Sequence, residues 1–425
     1  MKRTVIFALA ILFSVTMVFA GGGRETAGGA VREITLINNK IEIDGALKAY
    51  AAIYERQTGV RVNIRSFGGE TPYAPSLTAI FNAGSEPEIF VIEGVAGYED
   101  ARRSNRITNL SNEPWVRDTD VAFADPQNGN VIGFPVAIEG WGLGYNRALL
   151  QRAGIDPATL TNVNAIRAAF ERIDSMKSQL GIDAVVSMTA GSGMTWVTGL
   201  HGFNAYLALG LPYNNSRRYI DMLLRGQVDN ARLTAYAEYY NLIFRHSNRA
   251  TLLTGGYDQQ IGDFALGRTV FIHQGNWTDP TFQELGITFE MGYIPHAFLT
   301  ENTPGIFVGA PSWYLVNARA RPEGIEEAKK FLAAMASTPE GHDYMVNQAG
   351  MVPAFKSVRL SPSGQLSRAV QQYTAQGRIY AWQQNDMPDG FGMNILGPIF
   401  AQMASGQINV QEFVRLVTNA VATIR

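Results

Sequence analysis

The sequence predicts an α/β protein with two domains. The chain has 425 residues, of which 46% are hydrophobic, and this is too long for one ordinary hydrophobic core. Strand and helix patterns alternate near its start, with a strand at 33–37, a helix at 45–58 and a strand at 60–64. Further buried strand patterns follow at 134–138 and 269–273. This alternation is typical of βαβ units.

Residues 1–20 have the pattern of a secretory signal peptide. Lys2 and Arg3 form a basic start, an apolar run follows, and small residues precede the cleavage site that we expect after Ala20. The apolar run is short for a bilayer span. Residues 21–31 are rich in glycine and are expected to form a flexible leader. The sequence therefore predicts an exported, periplasmic protein.

The charge and the cysteine content exclude several kinds of function. The chain has 35 basic and 37 acidic residues, and loss of Lys2 and Arg3 with the signal peptide changes its net charge from −2 to −4. A nucleic-acid-binding protein would need a basic surface, so we expect no nucleic-acid partner. The absence of cysteine excludes disulfides and thiol chemistry, and it leaves no residue to carry a lipid after the signal peptide.

Polar residues follow the first strands of the chain. Asn39 and Lys40 lie in the loop 38–44, directly after the first strand, and Glu93 ends the hydrophobic strand 87–93. Ligands of open α/β sheets bind at the carboxyl ends of the strands, so these three side chains are candidate ligand contacts. The alternatives are an ordinary solvated turn for Asn39 and Lys40, and a charge at a helix start for Glu93.

The stretch 133–146 combines a strand pattern with groups that suit a ligand cleft. Its apolar part, 134–138, continues into Glu139 and Trp141, which lie two positions apart and therefore on the same side of an extended chain. A carboxylate and an indole that face one space can hold a polyhydroxylated ring, since the acid accepts hydroxyl hydrogens and the indole covers the C–H face. The alternative is the end of a surface strand with a core tryptophan.

The segment 133–156, GFPVAIEGWGLGYNRALLQRAGID, resembles the hinge-crossing segment of the extracellular solute-binding proteins of ABC importers. The similarity is greatest to the maltose/oligosaccharide-binding group, family 1. The matching positions are Pro135, Glu139, Tyr145, Asn146, Ala153 and Gly154. The resemblance extends over about 33–358 and implies a two-lobe periplasmic-binding-protein fold of type II, like that of the maltose-binding protein, with a hinge and an interlobe cleft. Members of this family use the first loop, here Asn39 and Lys40, to contact sugar hydroxyls.

A second stretch, 264–277, is also similar to a motif of this family and ends in Trp277. Gly275 turns the chain there, so that Trp277 is predicted to project at the end of a strand as the principal stacking residue. Trp196 follows a glycine-rich turn and is either a stacking residue or a helix-core residue. Trp313 occupies a position near the cleft in relatives, and Asp386 is a candidate from the C-terminal part.

The resemblance also implies how the chain is divided between the lobes. We expect crossings near Val136, Ile294 and Ser337. The first lobe is then 32–137 with 294–337, and the second is 138–293 with 338–425.

Enzymatic functions have little support in the sequence. The histidines are His201, His246, His273, His296 and His342. No pair of them has metal-ligand spacing, and no nucleotide-binding or nucleophile motif occurs, so we expect no catalytic residue, no metal and no cofactor. One enzymatic alternative is a secreted glycoside hydrolase that uses Glu93 and Glu139 as paired carboxylates. An adhesin would need β-rich repeats, which the sequence lacks.

The function that the resemblance implies is capture of a carbohydrate, an oligosaccharide or a glycoside, by closure of the cleft. The expected partners are this ligand and the membrane permease subunits of an ABC importer, and the protein is expected to be monomeric. The chain has 6 Trp residues, and its candidate cleft residues include no arginine, which favours a sugar over an anion that would need clustered Arg.

Overall fold

The computed structural model describes residues 32–68, 71 and 73–424. The signal peptide and the leader, expected in 1–31, lie outside these residues. No helix in the described part of the chain is long and apolar enough to cross a membrane.

The described residues form strands and helices in alternation. The strands are β1 (Arg32–Asn38), β2 (Val60–Ser66), β3 (Ile89–Ile92), β4 (Phe123–Ala124), β5 (Val131–Pro135), β6 (Glu139–Asn146), β7 (Ala184–Ser187), β8 (Thr269–Gly275), β9 (Met291–Ile294), β10 (Ile306–Gly309), β11 (Trp313–Val316) and β12 (Ile379–Tyr380). The helices are α1 (Asp44–Thr58), α2 (Tyr73–Asn82), α3 (Val95–Arg103), α4 (Arg147–Arg152), α5 (Val163–Ser175), α6 (Lys177–Leu180), α7 (Phe203–Ala208), α8 (Arg218–Leu224), α9 (Asn230–Arg245), α10 (Tyr257–Ala265), α11 (Asp279–Glu284), α12 (Pro322–Ser337), α13 (Pro339–Asp343), α14 (Gln365–Ala375), α15 (Gly397–Ser405) and α16 (Val410–Val421). Three π-helical segments, Trp196–Gly202, Tyr344–Gln348 and Phe391–Leu396, interrupt this pattern.

The first sheet confirms the predicted βαβ unit. Its strand order is β2-β1-β3-β11-β5-β4, and β1 pairs in parallel with both β2 and β3. Helix α1 buries Leu47, Tyr50 and Tyr54, which recur at helical spacing, against this sheet. Gly59 ends the helix with a φ of 72°, a left-handed conformation that glycine adopts without strain.

The second sheet is built around β6, whose residues are all buried. The strand order is β12-β10-β6-β8-β7, and β9 also pairs with β6. Glycines at alternate positions of β6 allow its neighbours to approach closely. A side chain at Gly142 would meet the backbone oxygen of Ile294, and one at Gly140 would meet Val370. The two sheets form the two lobes, as expected.

The chain first crosses between the sheets at 136–138, between β5 and β6. The predicted strand at 134–138 is wrong in extent, because β5 ends at Pro135 and β6 begins at Glu139. The linking residues are held by backbone hydrogen bonds from Val136 to the oxygen of Ser312 (3.1 Å) and from Ile138 to the oxygen of Val352 (2.9 Å). Glu139 therefore lies at the hinge and opens a strand of the second sheet.

The crossing expected near Ile294 is wrong. After β9, the chain adds β10 to the second sheet, where Phe307 lies opposite Trp141 in an antiparallel pair with β6. The next strand, β11, pairs with β3 and β5 in the first sheet. The chain thus returns to the first lobe at 310–312.

The crossing expected near Ser337 is also wrong, because the residues that follow α12 pack on the first lobe. Tyr344 stacks on Tyr50 with ring centroids 5.1 Å apart, and Phe355 packs on Phe134 at 4.9 Å. Helix α14 then returns to the second sheet through Val370. These contacts assign 310–358 to the first lobe, whose apolar core they complete.

Candidate ligand-binding cleft

The candidate site lies where the strand ends of the two sheets meet. Asn39 and Lys40 follow β1, Glu93 follows β3, and Glu139 opens β6. A pocket at this place is lined by residues of both lobes. Among them are Lys40, Glu42, Glu139, Asn276, Trp277 and Met351. Lys40, Glu139 and Trp277 thus lie together at one pocket.

Lys40 forms an ion pair that joins the two lobes. Its Nζ contacts Glu139 of the second lobe, and it also lies 3.3 Å from Oε1 of Glu42 in its own loop. Burial opposes the charged form of Lys40, but the two carboxylates more than offset this, so the pKa of Lys40 is raised. Burial raises the pKa of Glu139, and the charge of Lys40 partly counteracts this rise.

Glu93 has a different environment from Glu139, because its direct partner is an amide. Nδ2 of Asn39 donates a hydrogen bond of 2.6 Å to Oε1 of Glu93. Glu93 is an exposed residue, but desolvation by the surrounding protein raises the pKa of its carboxyl group, and the charge of Lys40 partly counteracts this rise. The buried Oδ1 of Asn39 has no hydrogen-bond partner among the described residues. This pair therefore retains hydrogen-bonding capacity that the described residues do not use.

Trp277 is held in place by the residues that precede it. Its indole folds back over the α carbon of Gly275, where any side chain would collide with the ring. The indole Nε1 donates a hydrogen bond of 3.0 Å to Oε1 of Gln274, and Gln274 in turn donates one of 2.9 Å to Gln260. Gly275 is extended and ends β8, so glycine is required there by the close approach of the ring rather than by the predicted turn.

Trp141 does not face the cleft, so the prediction that it contacts a ligand is wrong. Its side chain is 0% exposed and stacks on Phe307 of β10 with ring centroids 4.5 Å apart. His273 and His296 cover it further, each with a centroid distance of 5.1 Å. Because neighbouring strands and loops bury this side of β6, the alternative of a core tryptophan is correct.

Trp196 and Trp277 belong to a group of aromatic rings around His201, which we call the indole cluster. The centroid distances from His201 are 5.3 Å to Trp196, 5.0 Å to Trp277 and 5.5 Å to Trp382. All four residues are partly exposed. The sequence motifs indicated Trp277 as a stacking residue and Trp196 as a candidate for one, but they did not indicate His201 or Trp382.

Neither Trp313 nor Asp386 is among the described residues that line the pocket beside the Lys40–Glu139 pair. Trp313 packs on Phe123 with ring centroids 4.9 Å apart, and its Nε1 donates a hydrogen bond of 2.7 Å to the oxygen of Val121. Asp386 accepts a hydrogen bond of 2.7 Å from Nη1 of Arg217. Burial raises the pKa of Asp386, and Arg217 counteracts this rise. Both side chains thus already have partners within their own lobe.

The C-terminal part of the chain also connects the lobes. The side-chain amide of Asn204 holds the segment 381–384 through hydrogen bonds with the backbone of Ala381, Gln383 and Gln384. Asn385 lies so close to Gly94 of the first lobe that a side chain at Gly94 would collide with it. The lobes are therefore in contact beyond the hinge.

Three of the histidines are not scattered in space. His201, His273 and His296 all pack on Trp141, and His273 Nδ1 lies 2.9 Å from His296 Nε2. Burial lowers the pKa of His273 to about 3, so this imidazole is neutral at physiological pH. Across the described residues, no group of three or more His, Cys, Asp or Glu side chains could hold a metal ion.

Two α/β lobes, a hinge at β6 and a cleft between strand ends define a ligand-binding protein of the two-lobed class. The profile of the family described as "Bacterial extracellular solute-binding protein" matches residues 49–375, and the chain belongs to this family. Membership implies an exported protein, and it confirms the family that the sequence motifs indicate.

Relatives and solved structures agree with this assignment. The melibiose/raffinose/stachyose-binding protein MelE of Bacillus subtilis (strain 168) is 22% identical over 350 residues, which cover 79% of this chain and 77% of MelE. A sugar transporter of Bacillus licheniformis in complex with stachyose has a TM-score of 0.71 at 18% identity, over 92% of this chain and 100% of that one. The protein RafE in complex with raffinose has a TM-score of 0.74 at 17% identity, over 92% and 99%. These relatives are described as binding proteins and transporters rather than enzymes, and the structures confirm the two-lobe fold.

Proposed function

We propose that the protein captures a carbohydrate, an oligosaccharide or a glycoside, in this cleft and delivers it to an ABC importer. The observation that carries the proposal is the position of the Trp277 indole beside the Lys40–Glu139 pair at the junction of the lobes. A sugar ring has a C–H face that stacks on an indole and hydroxyls that bond to charged groups. The descriptions of the relatives as sugar-binding proteins support the same ligand class.

We assign complementary roles to the side chains. Asn39, Lys40, Glu93 and Glu139 bind hydroxyls, while Trp196 and Trp277 supply ring faces. Since Lys40 and Glu139 come from different lobes, a ligand that contacts both favours the closed arrangement by the free energy of those contacts. Trp313 and Asp386 remain predicted contacts, which a longer ligand would reach.

We propose binding without catalysis. A glycosidase needs a protonated carboxylic acid beside the scissile bond and a second carboxylate across from it. Lys40 stabilises the ionised form of Glu139 and so opposes the role of acid. Incubation with the bound sugar should return it unchanged in chromatography. Release of reducing ends that Glu139→Gln abolishes would favour the glycoside hydrolase instead.

Export and assembly are part of the proposal. Cleavage after Ala20 would leave a mature chain that begins at Gly21, which mass spectrometry of the secreted protein checks. The mature protein should elute as a monomer in size-exclusion chromatography. Import of the bound sugar should require the permease subunits of an ABC importer.

A tryptophan-fluorescence screen, followed by titration calorimetry, tests the ligand class. The panel contains melibiose, raffinose, stachyose and chitin oligosaccharides, with amino acids and phosphate as controls. At least one saccharide should shift the emission, because Trp277 lies at the pocket wall. Binding of a control compound but of no saccharide would overturn the proposal.

A further inference from the structure

His201 occupies the centre of the indole cluster. Trp196, Trp277 and Trp382 surround its imidazole, and Trp141 lies beneath it with the two rings nearly parallel at 6.1 Å. Trp277 also lines the pocket with Lys40. The imidazole is therefore the polar group among these indoles at the second-lobe side of the cleft.

The hydrogen-bonding capacity of His201 is unused by the described residues. No described side chain or backbone group forms a hydrogen bond with its ring, and the residue is partly exposed. In contrast, His273 bonds to His296, and His342 Nε2 lies 2.8 Å from the oxygen of Ala336. These other imidazoles are tied into the protein, so His201 is available to a ligand.

The backbone around His201 is unusual and well packed. The residue lies in the π-helical segment Trp196–Gly202, a conformation that is frequent at functional sites. Gly199 of this segment touches the backbone of Gly392 in a second π-helical segment, and Gly202 lies against the ring of Tyr240. These close contacts fix the position of the imidazole within the indole cluster.

We infer that His201 is the specificity-determining residue that recognises the configuration of the hydroxyls on a sugar ring bound at the indole cluster. The inference rests on the proposed function and deepens it. A neutral imidazole offers one donor and one acceptor, which match a pair of adjacent hydroxyls. Burial among the rings depresses the pKa of His201 well below its usual range, so the neutral form prevails. A group that must bond to a hydroxyl discriminates strongly against an epimer that misplaces it.

The test compares His201→Phe and His201→Gln with the wild-type protein in titration calorimetry. The probes are two pairs of disaccharides that differ in a single hydroxyl configuration, melibiose with isomaltose and lactose with cellobiose. The wild-type protein should prefer one member of a pair. His201→Phe should weaken binding of that member roughly tenfold and reduce the preference, as expected for one lost hydrogen bond. His201→Gln, which keeps a donor and an acceptor, should restore part of both.

A matched control is His342→Phe, which makes the same exchange in the first lobe away from the cleft and should leave the affinities unchanged. Thermal melting of each variant reports whether it is folded. Unchanged affinity and preference in folded His201→Phe, or equal wild-type affinity for both members of each pair, would overturn the role of His201 alone. Absence of saccharide binding by the wild-type protein would overturn the proposed function together with it.

Discussion

The two walls of the cleft present different chemistry. The first lobe contributes Asn39, Lys40 and Glu93 from loops at the ends of β1 and β3. The second lobe contributes Glu139 and Trp277, and Trp277 belongs to the indole cluster, whose rings come from a π-helical segment, the end of β8 and the C-terminal part. Polar groups orient a ligand, whereas ring faces supply apolar contact area. Substitutions in the first wall should therefore alter charge balance at the hinge, and those in the second should alter the area of contact.

The largest effect is expected for substitution of Trp141, the indole that lies in the core rather than at the cleft. Trp141→Ala should lower the free energy of unfolding by about 3–5 kcal/mol, because it leaves a cavity beneath β10. Urea unfolding measures this loss. The folded fraction should still bind ligand. A large loss of affinity with little destabilisation would instead show that Trp141 contacts the ligand.

The second-largest effect is expected for substitutions in the Lys40–Glu139 ion pair, which joins the two lobes. Lys40→Met should cost about 2–3 kcal/mol of stability, since it leaves Glu139 buried without its cation. Chemical denaturation of Lys40→Met, Glu139→Gln and the double variant gives the coupling between the two residues. If the effects of the single substitutions simply add, the pair does not stabilise the hinge.

Trp277→Ala should weaken ligand binding by about 1–3 kcal/mol, because stacking area is lost. Its stability should change less than that of Trp141→Ala, since the ring lies at the cleft and is partly exposed. Trp277→Phe, which keeps an aromatic face, serves as the matched control and should retain most of the affinity. Calorimetry and thermal melting distinguish the outcomes. Unchanged affinity with strongly reduced stability would make Trp277 a core residue.

The smallest effect is the pH dependence of Glu139. Its pKa is raised in the folded protein, so the folded state binds its proton at a higher pH than the unfolded state, for which the value is 4.5. Stability contributed by this group should therefore rise as the pH falls from its folded pKa to 4.5 and then level off. In denaturant melts across this pH range, the free energy of unfolding of the wild-type protein should increase relative to that of Glu139→Gln as the pH falls. A constant difference would contradict the raised pKa.

Local patterns predicted much of the fold and part of the cleft. The strand and helix periodicities of β1, α1 and β2 and the glycine before Trp277 are features of neighbouring residues, so they were visible in the sequence. The family motifs placed Glu139 at the hinge and Trp277 at the pocket. Both positions follow from short segments with a fixed spacing.

The errors arose where distant segments decide the structure. Alternation placed Glu139 and Trp141 on the same side of the chain, but the burial of Trp141 depends on Phe307 and His296, far along the sequence. Likewise, β10 pairs with β6 in the second sheet, so the chain returns to the first lobe after β10 and not near Ile294. Trp382 enters the cluster from a region beyond the family resemblance, where periodicity gives no indication of a cleft.

The contact between Gly94 and Asn385 is a place where relative motion of the two lobes can be measured. Gly94 has a φ of 98° and leaves no room for a side chain against Asn385, so an opening of the cleft would lengthen the distance between these residues. The sequence contains no cysteine. A thiol introduced at a neighbouring exposed residue, Asp389, would be the sole attachment point for an environment-sensitive dye. The protein is thus suited to conversion into a reagentless optical sensor for its own ligand.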